Sequence, residues 1–222
     1  MKILLSLLAC AIFGQINAQE WANVARFKAD NERIIADNAP VKLVFMGNSI
    51  TEGWKSFDPN LFGSTNYINR GISGQTTPQM LVRFKQDVLD LNPKGVVILA
   101  GTNDIAGNTG SMSVQEIFNQ IESMAGLAAL NKIEVFLCSV LPVYDYPWKP
   151  GLKPVPKILA LNNMLKTLAA DKNYKYIDYF SEMSDDKNGL KLSLGSDGVH
   201  PNEKGYEIMK KVLLNTIGPS FK

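Results

Sequence analysis

The chain contains a single histidine, so any chemistry that needs an imidazole base must use His200. Asp197 lies three residues earlier, and on a tight turn this spacing lets the carboxylate reach the second ring nitrogen. A serine hydroxyl becomes a nucleophile when such a supported histidine takes its proton. Ser49, which follows an apolar run, is the candidate nucleophile. Taken singly, His200 could be structural and Ser49 a helix cap, and only their placement favours catalysis.

Attack on a carbonyl group places negative charge on its oxygen, which fixed hydrogen-bond donors must stabilise. Gly71 can supply a backbone N–H, and the amide of Ser49 and the side-chain amide of Asn103 are candidates for the other donors. Gly71, Gly74 and Asn103 also suit ordinary turns. Each has a plain structural alternative, so the prediction depends on all of them meeting at one place.

Strand-like apolar segments alternate with segments of helical period, which predicts a parallel sheet covered on both faces. The predicted strands lie at residues 41–46, 67–69, 95–100, 133–141 and 174–178. The predicted helices lie at residues 21–37, 80–91, 113–130, 155–172 and 202–217. Ligands of such sheets bind beyond the carboxyl ends of the strands. Ser49, Gly71 and Asn103 lie close to strand ends and His200 precedes the last helix, so we expect them at one edge.

The segment from Leu141 to Pro156 combines prolines with the aromatic residues Tyr144, Tyr146 and Trp148. It is too rigid for a helix and too aromatic for a plain linker. One interpretation is a surface loop that packs its rings on the domain. The other is a wall of the binding cleft, with Tyr144 and Trp148 as substrate-binding residues.

Composition excludes several other classes of protein. The 222 residues include 45% hydrophobic and 20% charged residues, typical of a globular domain. A net charge of +2 without a basic run indicates no nucleic-acid partner. One histidine and two cysteines exclude zinc sites built from several such ligands. Phosphate-loop and dinucleotide fingerprints are missing, and the serine segment lacks the second glycine of an α/β-hydrolase elbow.

The first 18 residues predict a secretory signal peptide followed by one domain at residues 19–222. Lys2 precedes the apolar run from Ile3 to Phe13, and small or polar residues up to Ala18 suit cleavage. The run is too short to span a bilayer, so stable membrane insertion is not expected. In the alternative, Cys10 is the lipidated N-terminus of a bacterial lipoprotein. Both interpretations predict an exported protein, periplasmic or extracellular.

The four blocks around Ser49, Gly71, Asn103 and His200, in this order, resemble the SGNH or GDSL hydrolase family. The resemblance implies a flavodoxin-like three-layer α/β/α sandwich with a five-stranded parallel sheet. It also implies hydrolysis of carboxylic esters through an acyl-enzyme, without a cofactor. By this resemblance Ser49 is the nucleophile, Asp197 and His200 form the acid–base pair, and Ser49, Gly71 and Asn103 are the oxyanion donors.

The family usually has aspartate before the serine, and this chain has Asn48, which keeps the size and hydrogen-bonding capacity but loses the charge. The resemblance is closest to compact exported members that deacetylate carbohydrates, so a small or polymeric O-acetylated carbohydrate is the expected substrate. A lysophospholipase, thioesterase or arylesterase is the enzyme alternative. A non-catalytic carbohydrate-binding module is the other class. No pattern indicates the oligomeric state.

Overall fold

The structure is a computed structural model that describes residues 18–63 and 66–221. Except for Ala18, the predicted signal peptide lies outside these residues, as does Cys10. The described chain forms one parallel sheet with the strand order β2-β1-β3-β4-β5. The strands are β1 (Leu43–Gly47), β2 (Tyr67–Gly71), β3 (Gly95–Leu99), β4 (Glu134–Cys138) and β5 (Lys175–Ile177).

Helices connect the strands and cover both faces of the sheet. The α-helices are α1 (Ala18–Trp21), α2 (Lys28–Ala36), α3 (Ser49–Phe57), α4 (Pro59–Gly63), α5 (Thr77–Asp87), α6 (Thr102–Ala106), α7 (Val114–Leu130), α8 (Val155–Lys172), α9 (Tyr179–Met183) and α10 (Glu203–Thr216). Two short 3₁₀ helices lie at Val24–Phe27 and Leu89–Leu91. None of the helices in the described ranges has the length and apolar character needed to cross a membrane.

Side chains point alternately to the two faces of the sheet along each strand, so the core consists of two apolar clusters, one on each face. Val44 and Met46 of β1 pack in one cluster with residues of α5, α7 and α8. Leu43 and Phe45 of the same strand pack in the other with residues of α3 and α10. Successive side chains of a strand point to opposite faces, and here both faces are covered. The predicted three-layer α/β/α sandwich with a five-stranded parallel sheet is confirmed.

The helix expected over residues 21–37 is divided into three pieces. Asn23, between α1 and the first 3₁₀ helix, has φ 52°, a left-handed conformation that ends a helix. The helical spacing of apolar residues continues across Asn23, so the sequence pattern does not indicate a break there. The short helices α3, α4, α6 and α9 are also not predicted from the sequence, because each has fewer than three turns and depends on tertiary packing. The helix predicted from residue 113 begins with a capping box, in which the Ser113 amide donates to the Glu116 carboxylate and the Glu116 amide donates to the Ser113 hydroxyl oxygen.

Close packing of α3 against the end of β2 requires a glycine at position 71. A Cβ atom on Gly71 would lie 2.2 Å from the amide nitrogen of Glu52 and 2.8 Å from the carbonyl oxygen of Asn48. Both of these atoms belong to the backbone at the start of α3, so a side-chain rotation cannot relieve the contact. Gly71 therefore sets how closely the helix that begins with Ser49 approaches the sheet.

We predict that Gly71→Ala lowers the free energy of unfolding by about 1–3 kcal/mol or more, because α3 must move away from β2. Gly126→Ala is the matched control. Gly126 lies inside α7 with open space around its Cβ position, so alanine should stabilise the protein by roughly 0.5–1 kcal/mol. Urea denaturation measures both values. Equal stability of the two variants would contradict the close approach described here.

Candidate active site

Ser49 lies at the turn from β1 into α3, where it is the first helical residue. Asn48 caps this helix, because its Oδ1 accepts a hydrogen bond of 3.1 Å from the Ile50 amide. The Asn48 carbonyl accepts from the Glu52 amide at 2.9 Å and so begins the helical ladder. An uncharged asparagine thus anchors the serine turn through its side-chain oxygen. The amide of Ser49 is one of the first N–H groups of the helix, which have no intrahelical acceptor.

Ser49, His200 and Asp197 form a continuous chain of hydrogen bonds, although Ser49 is 151 residues from His200 in the sequence. The Ser49 Oγ is 2.9 Å from the Nε2 atom of His200. The Nδ1 atom of the same ring is 2.7 Å from Oδ2 of Asp197. The other carboxylate oxygen accepts from the backbone amides of Val199, at 2.9 Å, and His200, at 2.7 Å. The 197–200 turn is therefore wrapped around the carboxylate, which orients the imidazole.

The electrostatic environment of Asp197 keeps its carboxylate ionised. Burial opposes ionisation, but the hydrogen bonds from the His200 amide and ring and from the Val199 amide outweigh it and hold the pKa of Asp197 below its ordinary value. An ionised carboxylate accepts only, so Nδ1 of His200 is the donor in this pair. In the neutral imidazole, Nε2 is then free to accept the Ser49 hydroxyl proton.

The amide of Gly71 already has an acceptor. It donates a hydrogen bond of 2.9 Å to Oδ1 of Asn69, and a backbone amide carries only one hydrogen. As the structure stands, the prediction that Gly71 supplies an oxyanion donor is therefore not supported. Three residues later, the amide of Gly74 has no acceptor among the described residues. Gly74 is exposed, and its φ of 78° suits glycine at this turn.

The turn that carries Gly74 is attached to both neighbouring strand ends. The Glu52 carboxylate of α3 accepts from the Ser73 amide at 2.8 Å and also from the Ser73 hydroxyl. On the other side, Nδ2 of Asn103 in α6 donates to the Gln75 carbonyl at 2.9 Å. This bond uses one of the two hydrogens on Nδ2, so the second is available to a ligand. In the sequence Gly74 is recognisable only as a turn residue, because the availability of its amide depends on contacts that the sequence does not display.

The two aromatic residues predicted to bind substrate differ in position. The ring of Trp148 lies beside His200 with the centroids 6.3 Å apart, and Trp148 is 45% exposed. Tyr144 is 61% exposed, and no ring contact with His200 or Trp148 is found for it among the described residues. Tyr146 between them is buried, with its hydroxyl 2.9 Å from both the carbonyl and hydroxyl oxygens of Thr102. The loop therefore packs one ring on the domain and places another beside the histidine.

Cys138 is buried in β4, and burial raises the pKa of its thiol, which disfavours the thiolate that a cysteine nucleophile requires. Among residues 18–63 and 66–221, no three His, Cys, Asp or Glu side chains gather as a metal site requires. The chemistry available at the sheet edge is proton transfer from a serine hydroxyl to an oriented imidazole.

Known proteins show the same sequence pattern and fold. Residues 45–208 match the sequence model of the GDSL-like Lipase/Acylhydrolase family. A GDSL-like lipase from Bacteroides thetaiotaomicron is 42% identical with a TM-score of 0.84, over 88% of this chain and 97% of that one. An acetylxylan esterase from Geobacillus stearothermophilus is 25% identical over 207 residues, 80% of this chain and 94% of the esterase.

A shorter similarity concerns an uncharacterized lipoprotein from Bacillus subtilis, which is 50% identical over 44 residues. That match spans 20% of this chain and 18% of the lipoprotein. The family match, in contrast, covers most of the chain and includes both Ser49 and His200. The chain therefore belongs to the GDSL-like lipase/acylhydrolase family and is an enzyme that hydrolyses esters.

Proposed function

We propose that the protein is an exported O-acetylesterase that removes acetyl groups from carbohydrates, with Ser49 as the nucleophile. The observation that carries the assignment is the hydrogen-bonded chain from Ser49 Oγ through the His200 ring to Asp197, with distances of 2.9 and 2.7 Å. A nucleophile, a base and a group that orients the base are the parts that acyl transfer requires.

In the proposed mechanism, Nε2 of His200 takes the Ser49 proton while Oγ forms a bond to the carbonyl carbon of the ester. The imidazolium, stabilised by Asp197, then gives this proton to the departing alcohol oxygen as the carbon–oxygen bond breaks, which leaves an acyl-serine. Water attacks the acyl-serine and loses its proton to His200. The proton returns to Ser49 Oγ when the carboxylic acid is released.

The proposed oxyanion donors are the amide of Ser49, the side-chain amide of Asn103 and the amide of Gly74. Gly74 replaces Gly71 in this proposal because the Gly71 amide is occupied by Asn69. The Asn103 side chain lies next to the turn that carries Gly74, because one hydrogen of its Nδ2 is donated to the carbonyl of Gln75, the residue after Gly74. The second hydrogen of Nδ2 and the Gly74 amide are the two proposed donors. Donors held by such contacts need little reorganisation when the charge develops.

The environment of His200 supports a carbohydrate as the alcohol part of the substrate. The leaving alcohol must lie within reach of Nε2, and the exposed ring of Trp148 is next to His200. An aromatic face with one polar edge suits the C–H face of a sugar ring. The similarity to an acetylxylan esterase points to the same substrate class. Exposed Tyr144 on the same loop is proposed as a more distant substrate contact.

We predict that Ser49→Ala and His200→Ala each lower the turnover of a small aryl acetate by orders of magnitude, because either change interrupts proton transfer. Asn103→Ala should cost about 10²–10³-fold as the loss of one oxyanion donor. Asn108→Ala is its control, since this exposed side chain also binds the same turn, through the Gly74 carbonyl, and should cost far less. Activity is measured on purified, folded variants. Full activity in Ser49→Ala would remove the assignment.

A substrate panel tests the acyl and alcohol preferences. We expect acetylated xylooligosaccharides and acetylated monosaccharides to be hydrolysed with a higher kcat/KM than lysophospholipids or aryl esters of longer acyl chains. Trp148→Ala should lower kcat/KM more for the sugar esters than for the aryl acetate, because it removes a contact to the alcohol. A preference for long acyl chains would favour a lipase or thioesterase. Lack of covalent labelling of Ser49 by a fluorophosphonate would favour a binding module.

Export is the second part of the proposal, with residues 1–18 as a signal peptide and residues 19–222 as the mature domain. The apolar run after Lys2 and the partial similarity to a lipoprotein support it. We predict that the chain expressed with its first residues in a bacterial host is recovered outside the cytoplasm and begins at Gln19. Mass spectrometry of the intact protein gives the start site. A lipidated product beginning at Cys10 would instead establish membrane anchoring, and an unprocessed chain would contradict export.

A further inference from the structure

A fully buried arginine lies beneath the candidate active site. Arg83 in α5 has 0% exposure, and each nitrogen of its guanidinium group has a different acceptor. Nε donates to Oε1 of Gln75 at 2.7 Å, and one terminal nitrogen donates to Oδ2 of Asp87 at 2.9 Å. The other terminal nitrogen donates to the carbonyl oxygen of Gly47 at 3.2 Å. The group therefore joins three segments of the chain at one point.

Two of these acceptors belong to the segments that carry the proposed catalytic groups. Gly47 is the last residue of β1, two positions before Ser49. Gln75 follows Gly74, and its carbonyl oxygen accepts from Asn103. The guanidinium group thus links the end of β1, which leads to Ser49, to the turn of Gly74 and Gln75, which holds the two proposed oxyanion donors Gly74 and Asn103. No sequence pattern indicates this link, because Arg83 is 36 residues from Gly47.

The charge of Arg83 is balanced inside the fold. Asp87 supplies the countercharge, and its other oxygen accepts a 2.7 Å hydrogen bond from Nδ2 of Asn31. Burying an ion pair costs desolvation energy, and an apolar pair of similar size is often at least as stable. A planar group with several donors in fixed directions can, however, hold separate acceptors in one geometry, which a lysine ammonium group cannot reproduce. The geometry therefore indicates a role in positioning.

We propose that Arg83 is a positioning residue, which sets the placement of Ser49 relative to the oxyanion donors Gly74 and Asn103. This inference rests on the proposed function. The hydrolytic step depends on the distance between Oγ and the oxyanion donors, and displacement by about 1 Å is enough to cost on the order of 10²-fold in rate. Arg83 is fully buried and, among the described residues, has no hydrogen bond to Ser49, Asp197 or His200, so it acts on the site only through Gly47 and Gln75.

The first test is Arg83→Lys, assayed with a small aryl acetate. We expect kcat to fall by about 10²-fold with little change in KM, because the donors act on the transition state. The rate of Ser49 labelling by a fluorophosphonate should fall in parallel. The pH profile of kcat should keep its shape, since the contacts of His200 with Ser49 and Asp197 are untouched. Arg83→Lys activity is expressed per folded molecule, with the folded fraction measured by thermal unfolding.

Arg70→Lys is the matched control. Arg70 is 2% exposed and belongs to the same polar cluster, where it binds Asp30 and Asn31, but it has no hydrogen bond to Gly47 or Gln75. Loss of its contacts should lower the melting temperature. Arg70→Lys should not show the loss of kcat per folded molecule that is expected for Arg83→Lys. The comparison separates positioning from the general cost of disturbing a buried arginine.

Gln75→Leu tests the same link from the other side and leaves the Arg83–Asp87 pair in place. It removes the acceptor of Arg83 Nε and also a 2.7 Å hydrogen bond from Gln75 Nε2 to the Ala22 carbonyl. We expect a loss of kcat similar to that of Arg83→Lys. The double variant should lose much less than the product of the two single losses, because both changes break one connection.

The proposal is overturned if Arg83→Lys retains kcat as Arg70→Lys does, if its loss lies in KM alone, or if the double variant shows independent losses. The underlying assignment fails separately, through an active Ser49→Ala. If Ser49→Ala is inactive while Arg83→Lys is folded and fully active, the proposed esterase function is retained and only the positioning role of Arg83 is rejected.

Discussion

The parallel register of β1, β2 and β3 is the constraint on which the candidate site depends. Gly47 pairs with Gly71 on one side and with Leu99 on the other, so the chain leaves three adjacent strands at the same level. Ser49, the turn containing Gly74, and Asn103 follow these exits within a few residues. Parallel strands need crossover helices, and those helices close both faces of the sheet, which leaves its carboxyl edge as the place where polar side chains can meet. His200 then reaches this edge from the turn before α10.

Hydrogen bonding, more than net charge, maintains the polar groups at this edge. Asp197 stays ionised because three donors outweigh the cost of its burial. Beneath the site, Arg83 and Asp87 are almost completely buried, and their polar atoms have partners within the fold. Leaving a buried polar group without a partner costs more free energy than a satisfied hydrogen bond contributes. The fully paired cluster is thus compatible with stability while it fixes the geometry of the backbone above it.

Features that residue type alone restricts can be predicted from this sequence, whereas features that depend on tertiary contacts cannot. With a single histidine, the acid–base pair is predicted almost by elimination, and the five strands are predicted from the alternation of strand-like and helical segments. The choice between Gly71 and Gly74 could not be made in this way, because both are glycines beside one strand end. Packing of Gly71 on α3 and the bond to Asn69 distinguish them. The break at Asn23 is likewise a backbone conformation within a continuing apolar pattern.

The loop that carries Tyr146 and Trp148 connects the side of the site proposed to bind the alcohol to the side proposed to stabilise the oxyanion. Trp148, beside His200, packs on the ring of Tyr146 with the centroids 5.2 Å apart. The Tyr146 hydroxyl donates to the Thr102 carbonyl and accepts from its hydroxyl, and Thr102 directly precedes Asn103. The wall proposed to contact the leaving alcohol and the helix that carries a proposed oxyanion donor therefore share one support, Tyr146. Because residues in contact are often energetically coupled, we expect a change at Trp148 that alters the alcohol preference to affect the placement of Asn103 as well.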